Sequence, residues 1–194
     1  MTDDDPRPPR ALAAQDAHLE ETPQDGAYVY DGALLHVRRD IVRLPNANSA
    51  VREYIVHPGA VLIVPVLPDG ALVVERQYRY PMNRAFVEFP AGKLDAGESP
   101  LATAQRELRE ETGYTAQRWT RLGVVHPVIS YSTEQIELYV AHDLTHVGRT
   151  LDDGEFLDVA TMTLDAMLTL LDEGGITDAK TVAALLLYAR TLTR

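Results

Sequence analysis

The chain has 194 residues, of which 45% are hydrophobic and 24% charged, enough for one globular domain with a buried core and an appendage. A formal net charge of −11 argues against a nucleic-acid-binding surface, which needs a positive patch, but it leaves room for a small anionic substrate met by metal ions and a few placed arginines. Zero cysteines exclude disulfides, thiolate metal sites and a cysteine nucleophile, and no apolar run approaches the length of a membrane helix.

In chain order, residues 1–25 predict a flexible tail with a short helix in ALAAQDAHLEE. The start, MTDDDPRPPR, has neither the basic region nor the apolar core of a secretory signal, so a cytoplasmic location is expected. Residues 26–57 predict a small antiparallel β unit. Tyr28–Tyr30 and Ala33–Val37 flank an Asp31-Gly32 turn, and a second strand pair, Asp40–Leu44 and Val51–Val56, flanks Pro45–Asn48. Such a unit is too small to bury its own apolar face, so it is expected to pack on the main domain, a partner chain, or both.

Residues 58–194 predict the main domain. Ala60–Val66 is a nearly unbroken apolar run, the mark of a central strand covered on both faces. Pro68-Asp69-Gly70 turns the chain into a strand over Ala71–Gln77. A Pro81–Arg84 turn then leads to a short strand, Ala85–Phe89. Two strands, Arg118–His126 and Glu134–His142, follow a helix, and two terminal helices, Thr163–Glu173 and Asp178–Thr193, are split at Gly174-Gly175.

The densest signal is the stretch from Gly92 to Tyr114, which reads G-KLDAG-E-SPLATAQ-RELREETGY. Ser99 is placed as an N-cap with Pro100 in the first helical position, and Gly113 is the matching stop. Leu101, Ala104 and Leu108 form the expected core stripe. Glu107, Glu110 and Glu111 crowd within one turn, where like charges four apart destabilise a helix by roughly 0.2–0.5 kcal/mol per pair. A solvated acidic face accounts well for Glu110 and poorly for Glu111, which borders the stripe. A hard divalent cation resolves the conflict, because Mg²⁺ and Mn²⁺ prefer carboxylate, carbonyl and water oxygens. Arg106 lies one turn from Glu110 and can hold a carboxylate in place.

This stretch resembles the Nudix box, matching it at every specified position. The resemblance implies an α/β fold, the Nudix α/β/α sandwich with a mixed sheet, and hydrolysis of a nucleoside diphosphate linked to another moiety. It implies Glu107, Glu111 and the Ala91 carbonyl as metal ligands, Glu110 as a further ligand or orienting acid, and Arg106 as the residue that orients the glutamates. Glu98 would brace the loop and helix, and Mg²⁺, with Mn²⁺ as substitute, is the implied cofactor.

Further segments, REYIVHPGAVLIVPV, VERQYRYP, EFPAGKLDAGE, HPVISYSTEQIELYVAHDL and ITDAKTVAALLL, resemble the ADP-ribose pyrophosphatase branch across residues 27–190. That resemblance implies a homodimer in which N-terminal strands are exchanged and help form the adenine site. Arg79 is the expected diphosphate contact, since its planar fork of donors matches phosphate oxygens. Glu88 is expected either to bond a ribose or to stabilise the loop. Tyr28 or Tyr30 could stack on adenine, against the plainer reading of both as strand residues, and Arg52 could contact the base from the partner chain. Glu134 is the candidate base, with Glu137 its nearby rival and a surface glutamate the plain alternative; His57 and His126 are read as structural. Pro127-Val128-Ile129 departs from the proline-glycine pair that some members carry in this loop. Three functions follow in order: cleavage of ADP-ribose, cleavage of GDP-mannose or another sugar nucleotide, and ligand sensing by an inactive module. The complete set of box glutamates speaks against the last.

Overall fold

The computed structural model describes residues 14–151 and 153–193. Most of the expected N-terminal tail, residues 1–13, lies outside them. The chain forms two compact units: Met1–Pro58 with Val128–Glu134, and Gly59–Pro127 with Gln135–Arg194.

In the smaller unit a 3₁₀ turn, Ala14–Leu19, precedes three antiparallel strands in the order β1-β2-β3: β1 (Thr22–Asp31), β2 (His36–Arg43) and β3 (Ser49–Val56). Two expectations need correction. Strand β1 starts at Thr22, inside the expected tail. The separate strands Ala33–Val37 and Asp40–Leu44 are one strand, because the Arg38-Arg39 pair continues the ladder to both neighbours instead of breaking it. The loop at 128–134 belongs with this unit: Ile55 N–H donates to the Tyr131 carbonyl at 2.9 Å, and Thr133 N–H donates to the Ile55 carbonyl at 3.0 Å. A unit drawn as one continuous stretch, 26–57, therefore lacks a segment that returns from far along the chain. Tyr28, Val29, Tyr30, Leu34, Leu35, Ile41 and Val51 are exposed on it, so three strands indeed leave much apolar surface uncovered.

The larger unit holds two sheets. One is mixed and four-stranded, ordered β7-β4-β9-β8, from β4 (Ala60–Pro65), β7 (Ala91–Lys93), β8 (Tyr114–Val125) and β9 (Ile136–His146); β4 and β9 run parallel. The other is antiparallel, ordered β10-β5-β6, from β5 (Leu72–Arg79), β6 (Arg84–Glu88) and β10 (Leu157–Met162). The apolar run in β4 explains the layering. Leu62 and Val64 pack with Met167 of α2 (Leu164–Asp172) and with Ala184, Leu185 and Tyr188 of α3 (Ala179–Leu192). Their neighbours Val61 and Ile63 point the other way, onto Ala104 and Leu108 of α1 (Pro100–Thr112). Alternation along one strand thus fills two cores, each large side chain contributing roughly 1.5–3 kcal/mol, and gives helix, sheet and helix layers.

Strands β7 and β10 were not legible beforehand. β7 is three residues with a central glycine, and Asp158 to Thr161 of β10 carry no apolar alternation. Among the described residues, no helix is long and apolar enough to cross a membrane.

Candidate active site

Helix α1 starts and stops as its sequence requires. The Ser99 hydroxyl accepts from Ala102 N–H at 3.3 Å, and Gly113 ends the helix at φ 77°, a left-handed conformation that suits glycine. The buried face differs in one respect from the expected stripe. Ala104 and Leu108 are buried as expected, but Leu101 is 39% exposed, and Thr103, Glu111 and Thr112 share the buried face. A glutamate thus occupies a core-facing position.

Arg106 organises the polar side. Its guanidinium donates to Glu107 at 2.8 Å, Glu110 at 3.0 Å and Glu98 at 3.0 Å, and to the Lys93 carbonyl at 3.3 Å. Glu98 also accepts from the Thr103 hydroxyl at 2.8 Å, so loop and helix share one network. Glu107 presses against the loop backbone. A Cβ built on Gly92 would lie 1.9 Å from the Glu107 carboxylate carbon, so any larger residue here would displace that carboxylate.

Glu111 is 3% exposed and accepts from the Ala91 N–H at 3.0 Å. Burial, then the charges of Glu75, Glu107 and Glu155, push its carboxyl far above the ordinary carboxylate range. Burial likewise raises Glu107, against the pull of Arg106.

Glu75 in β5 and Glu155 in the loop before β10 escaped the sequence reading. Glu75 is 1% exposed, and neither of its carboxylate oxygens has a hydrogen-bond partner. Burial and the facing charge of Glu88 push it up as well. Glu155 accepts from Gln77 at 3.4 Å, and its charge bears on Glu75, Glu107 and Glu111. A charged residue closing the buried run Leu72–Val74 was the available signal for Glu75. The acidic run around Glu155 offered none.

Glu88 sits opposite Glu75 in the β5–β6 ladder and is 1% exposed. Arg79 grips it through two bonds of 2.7 and 2.8 Å, and Lys180 also donates to its Oε2. Burial alone would raise Glu88, but these cations hold it below the ordinary carboxylate range. Arg79 therefore reaches the site as one half of a bidentate pair.

The remaining sequence candidates lie as follows. Glu137 in β9 is engaged by Arg121 at 2.7 and 3.1 Å. Glu134, in the smaller unit, lies 4.0 Å from His57 Nε2 and donates its N–H to Ser132 at 3.1 Å. Tyr28 has the Arg38 guanidinium 5.3 Å from its ring centre, and Arg52 bonds Glu21 at 2.8 Å. His126 follows β8 and is exposed.

The residues present suit a hard divalent cation. Glu75 has two buried oxygens without partners, Glu111 is buried and feels its charge, and the Gly92 backbone leaves room for Glu107. Among the described residues, no three acidic or imidazole groups are already gathered into a closed ligand set, and Arg106 and the Ala91 N–H occupy Glu107 and Glu111.

An α/β/α sandwich carrying this loop and helix defines a hydrolase of the Nudix class. The chain belongs to that family: the NUDIX domain model matches residues 56–185. It is 37% identical over 169 residues to the ADP-ribose pyrophosphatase of Bacillus subtilis (strain 168), covering 86% of this chain and 91% of that one. It is 39% identical over 158 residues to the methanol dehydrogenase activator of Bacillus methanolicus, covering 80% and 85%. A crystal structure of an ADP compounds hydrolase matches with a TM-score of 0.82 at 29% identity, covering 90% of this chain and 95% of that one.

Proposed function

We propose that this Nudix hydrolase cleaves the pyrophosphate bond of ADP-ribose, giving AMP and ribose 5-phosphate, with Mg²⁺ as its cation and Mn²⁺ as a substitute. The observation that carries the reading is the buried carboxylate group on α1, with Glu111 against the Ala91 N–H and Glu107 against Gly92, latched by Arg106. Similarity to the Bacillus subtilis ADP-ribose pyrophosphatase and to an ADP compounds hydrolase supports the substrate class.

In this reading Glu107, Glu111 and the Ala91 carbonyl hold the cation, which when bound neutralises phosphate charge and makes a water more acidic. Arg106 keeps Glu107 and Glu110 from swinging away. Arg79, fixed by Glu88, offers its guanidinium to the diphosphate, and Glu88 acts on the loop and on Arg79 more than on a ribose. Glu134 is the proposed base that takes the proton of the attacking water. Glu155 is a second reading for that role, favoured by one observation: its charge bears on both Glu107 and Glu111 within the same unit.

The exposed apolar residues of β1 and β2 support a homodimer through the N-terminal strands. Tyr28 and Arg52 are proposed as nucleobase contacts on the branch resemblance alone. Monomeric behaviour in light scattering at micromolar concentration would remove the dimer.

Product analysis tests the whole reading. The protein is incubated with Mg²⁺ and ADP-ribose, GDP-mannose, NADH or a diadenosine polyphosphate, and the nucleotides are chromatographed. AMP released fastest from ADP-ribose is the expected result. GMP from GDP-mannose would keep the mechanism and overturn the substrate. No product with either Mg²⁺ or Mn²⁺ would overturn hydrolysis itself.

A further inference from the structure

We propose that Glu75 is a further acidic donor to the cation centre, presented from β5 to the divalent cation that Glu107 and Glu111 are assigned above; the inference rests on that assignment.

Glu75 follows Leu72, Val73 and Val74 on a fully buried stretch of strand. A carboxylate there must be compensated, because an ionised group buried alone is strongly destabilising. Yet both of its oxygens are buried and unbonded. Five groups act on it or are acted on by it: Glu88, Arg79, Lys180, Glu155 and Glu111. The two cations among these are committed elsewhere, Arg79 bidentate to Glu88 and Lys180 to Glu88 and Asp178. The other three are carboxylates.

Glu75 therefore faces an excess of negative charge with no hydrogen-bond donor of its own. A proton on Glu75 would remove the charge but would create a buried O–H in need of an acceptor, and no such bond is formed. A hard cation answers both needs, accepting oxygen donors and drawing Glu75 and Glu111 toward one centre. Glu75 stands on β5 and Glu111 on α1, so on this proposal a strand and a helix each contribute a carboxylate to the centre.

The test uses the full chain stripped of metal, with Mn²⁺ as the probe. Free Mn²⁺ is followed by electron paramagnetic resonance during titration of wild type, Glu75→Gln and Glu75→Met. Each variant should bind Mn²⁺ about tenfold more weakly or worse, the range typical of lost supporting ligands. Metal-free Glu75→Met should melt above metal-free wild type, and its melting temperature should rise less on adding Mn²⁺. A merely structural Glu75 gives the opposite pair: lower metal-free stability with unchanged Mn²⁺ affinity. Unchanged affinity in both variants overturns the inference and leaves the Glu107–Glu111 site standing. Absence of Mn²⁺ binding by wild type overturns both. Should Glu75→Met fail to fold by circular dichroism, the isosteric Glu75→Gln carries the affinity comparison alone.

Discussion

The Glu107 carboxylate occupies the space that a side chain on residue 92 would need, with its carbon 1.9 Å from where a Gly92 Cβ would stand. The glycine of the box therefore has a steric origin: the loop backbone and a carboxylate of the helix share one small volume. Gly92→Ala should expel Glu107 from its bond to Arg106, at an overpacking cost of about 1–3 kcal/mol in stability. Turnover should fall far more than stability alone explains. Near-normal turnover in a folded Gly92→Ala protein would show that the Glu107 position is not needed.

Glu111→Gln should cost several kcal/mol of transition-state stabilisation, seen as a drop of at least a hundredfold in kcat/KM. The amide keeps the size of the side chain and can still accept from the Ala91 N–H, so the fold should survive. Steady-state kinetics with circular dichroism on the same sample checks both halves. Turnover within a few-fold of wild type would take the box out of the mechanism.

The two readings of the base separate cleanly. Glu134→Gln should lower kcat and leave KM largely in place if Glu134 takes the proton, with Glu155→Gln much milder. The reverse pattern assigns the proton to Glu155, which acts on Glu107 and Glu111 from the loop before β10. Glu137→Gln should do little to kcat, because Arg121 already holds that carboxylate in a cross-strand pair.

What the sequence disclosed follows from the range of the interactions involved. Caps, turns and apolar periodicity are local, so α1, α3 and the buried β4 stand nearly where Ser99-Pro100, Asp178 and Ala60–Val66 put them. The latch from Arg106 to Glu110 is also local, one turn along a helix. Glu75 and Glu155 were missed because their importance depends on who faces them across sheets and loops, and Glu75 has Glu88 opposite it only through ladder register. Spacing alone turns Leu101 inward, yet it lies out because Thr103 and Glu111 take the buried face. Hydrophobicity breaks strand β2 at its two arginines, and the hydrogen-bond ladder carries it through them.

The raised carboxyls make metal-free stability fall with pH. Glu75 has an ordinary carboxylate value of 4.5 when unfolded and about 8 when folded, raised first by burial and then by Glu88. Between those limits the folded protein binds more protons than the unfolded one, so unfolding free energy decreases as pH rises. Glu111 and Glu107 shift in the same direction and extend the effect. Glu88 and Asp178 shift the other way, and their contribution is lost only as pH falls below the ordinary carboxylate range. Comparing wild type with Glu75→Met cancels most other groups. Thermal melts from about pH 5 to about pH 8 without metal should show wild type losing stability relative to the variant. Adding Mg²⁺ at the upper end should reverse the order, because the ion binds the folded wild type more tightly than the variant. A gap between the two proteins that stays flat across this range would mean that Glu75 holds no proton more tightly in the folded state.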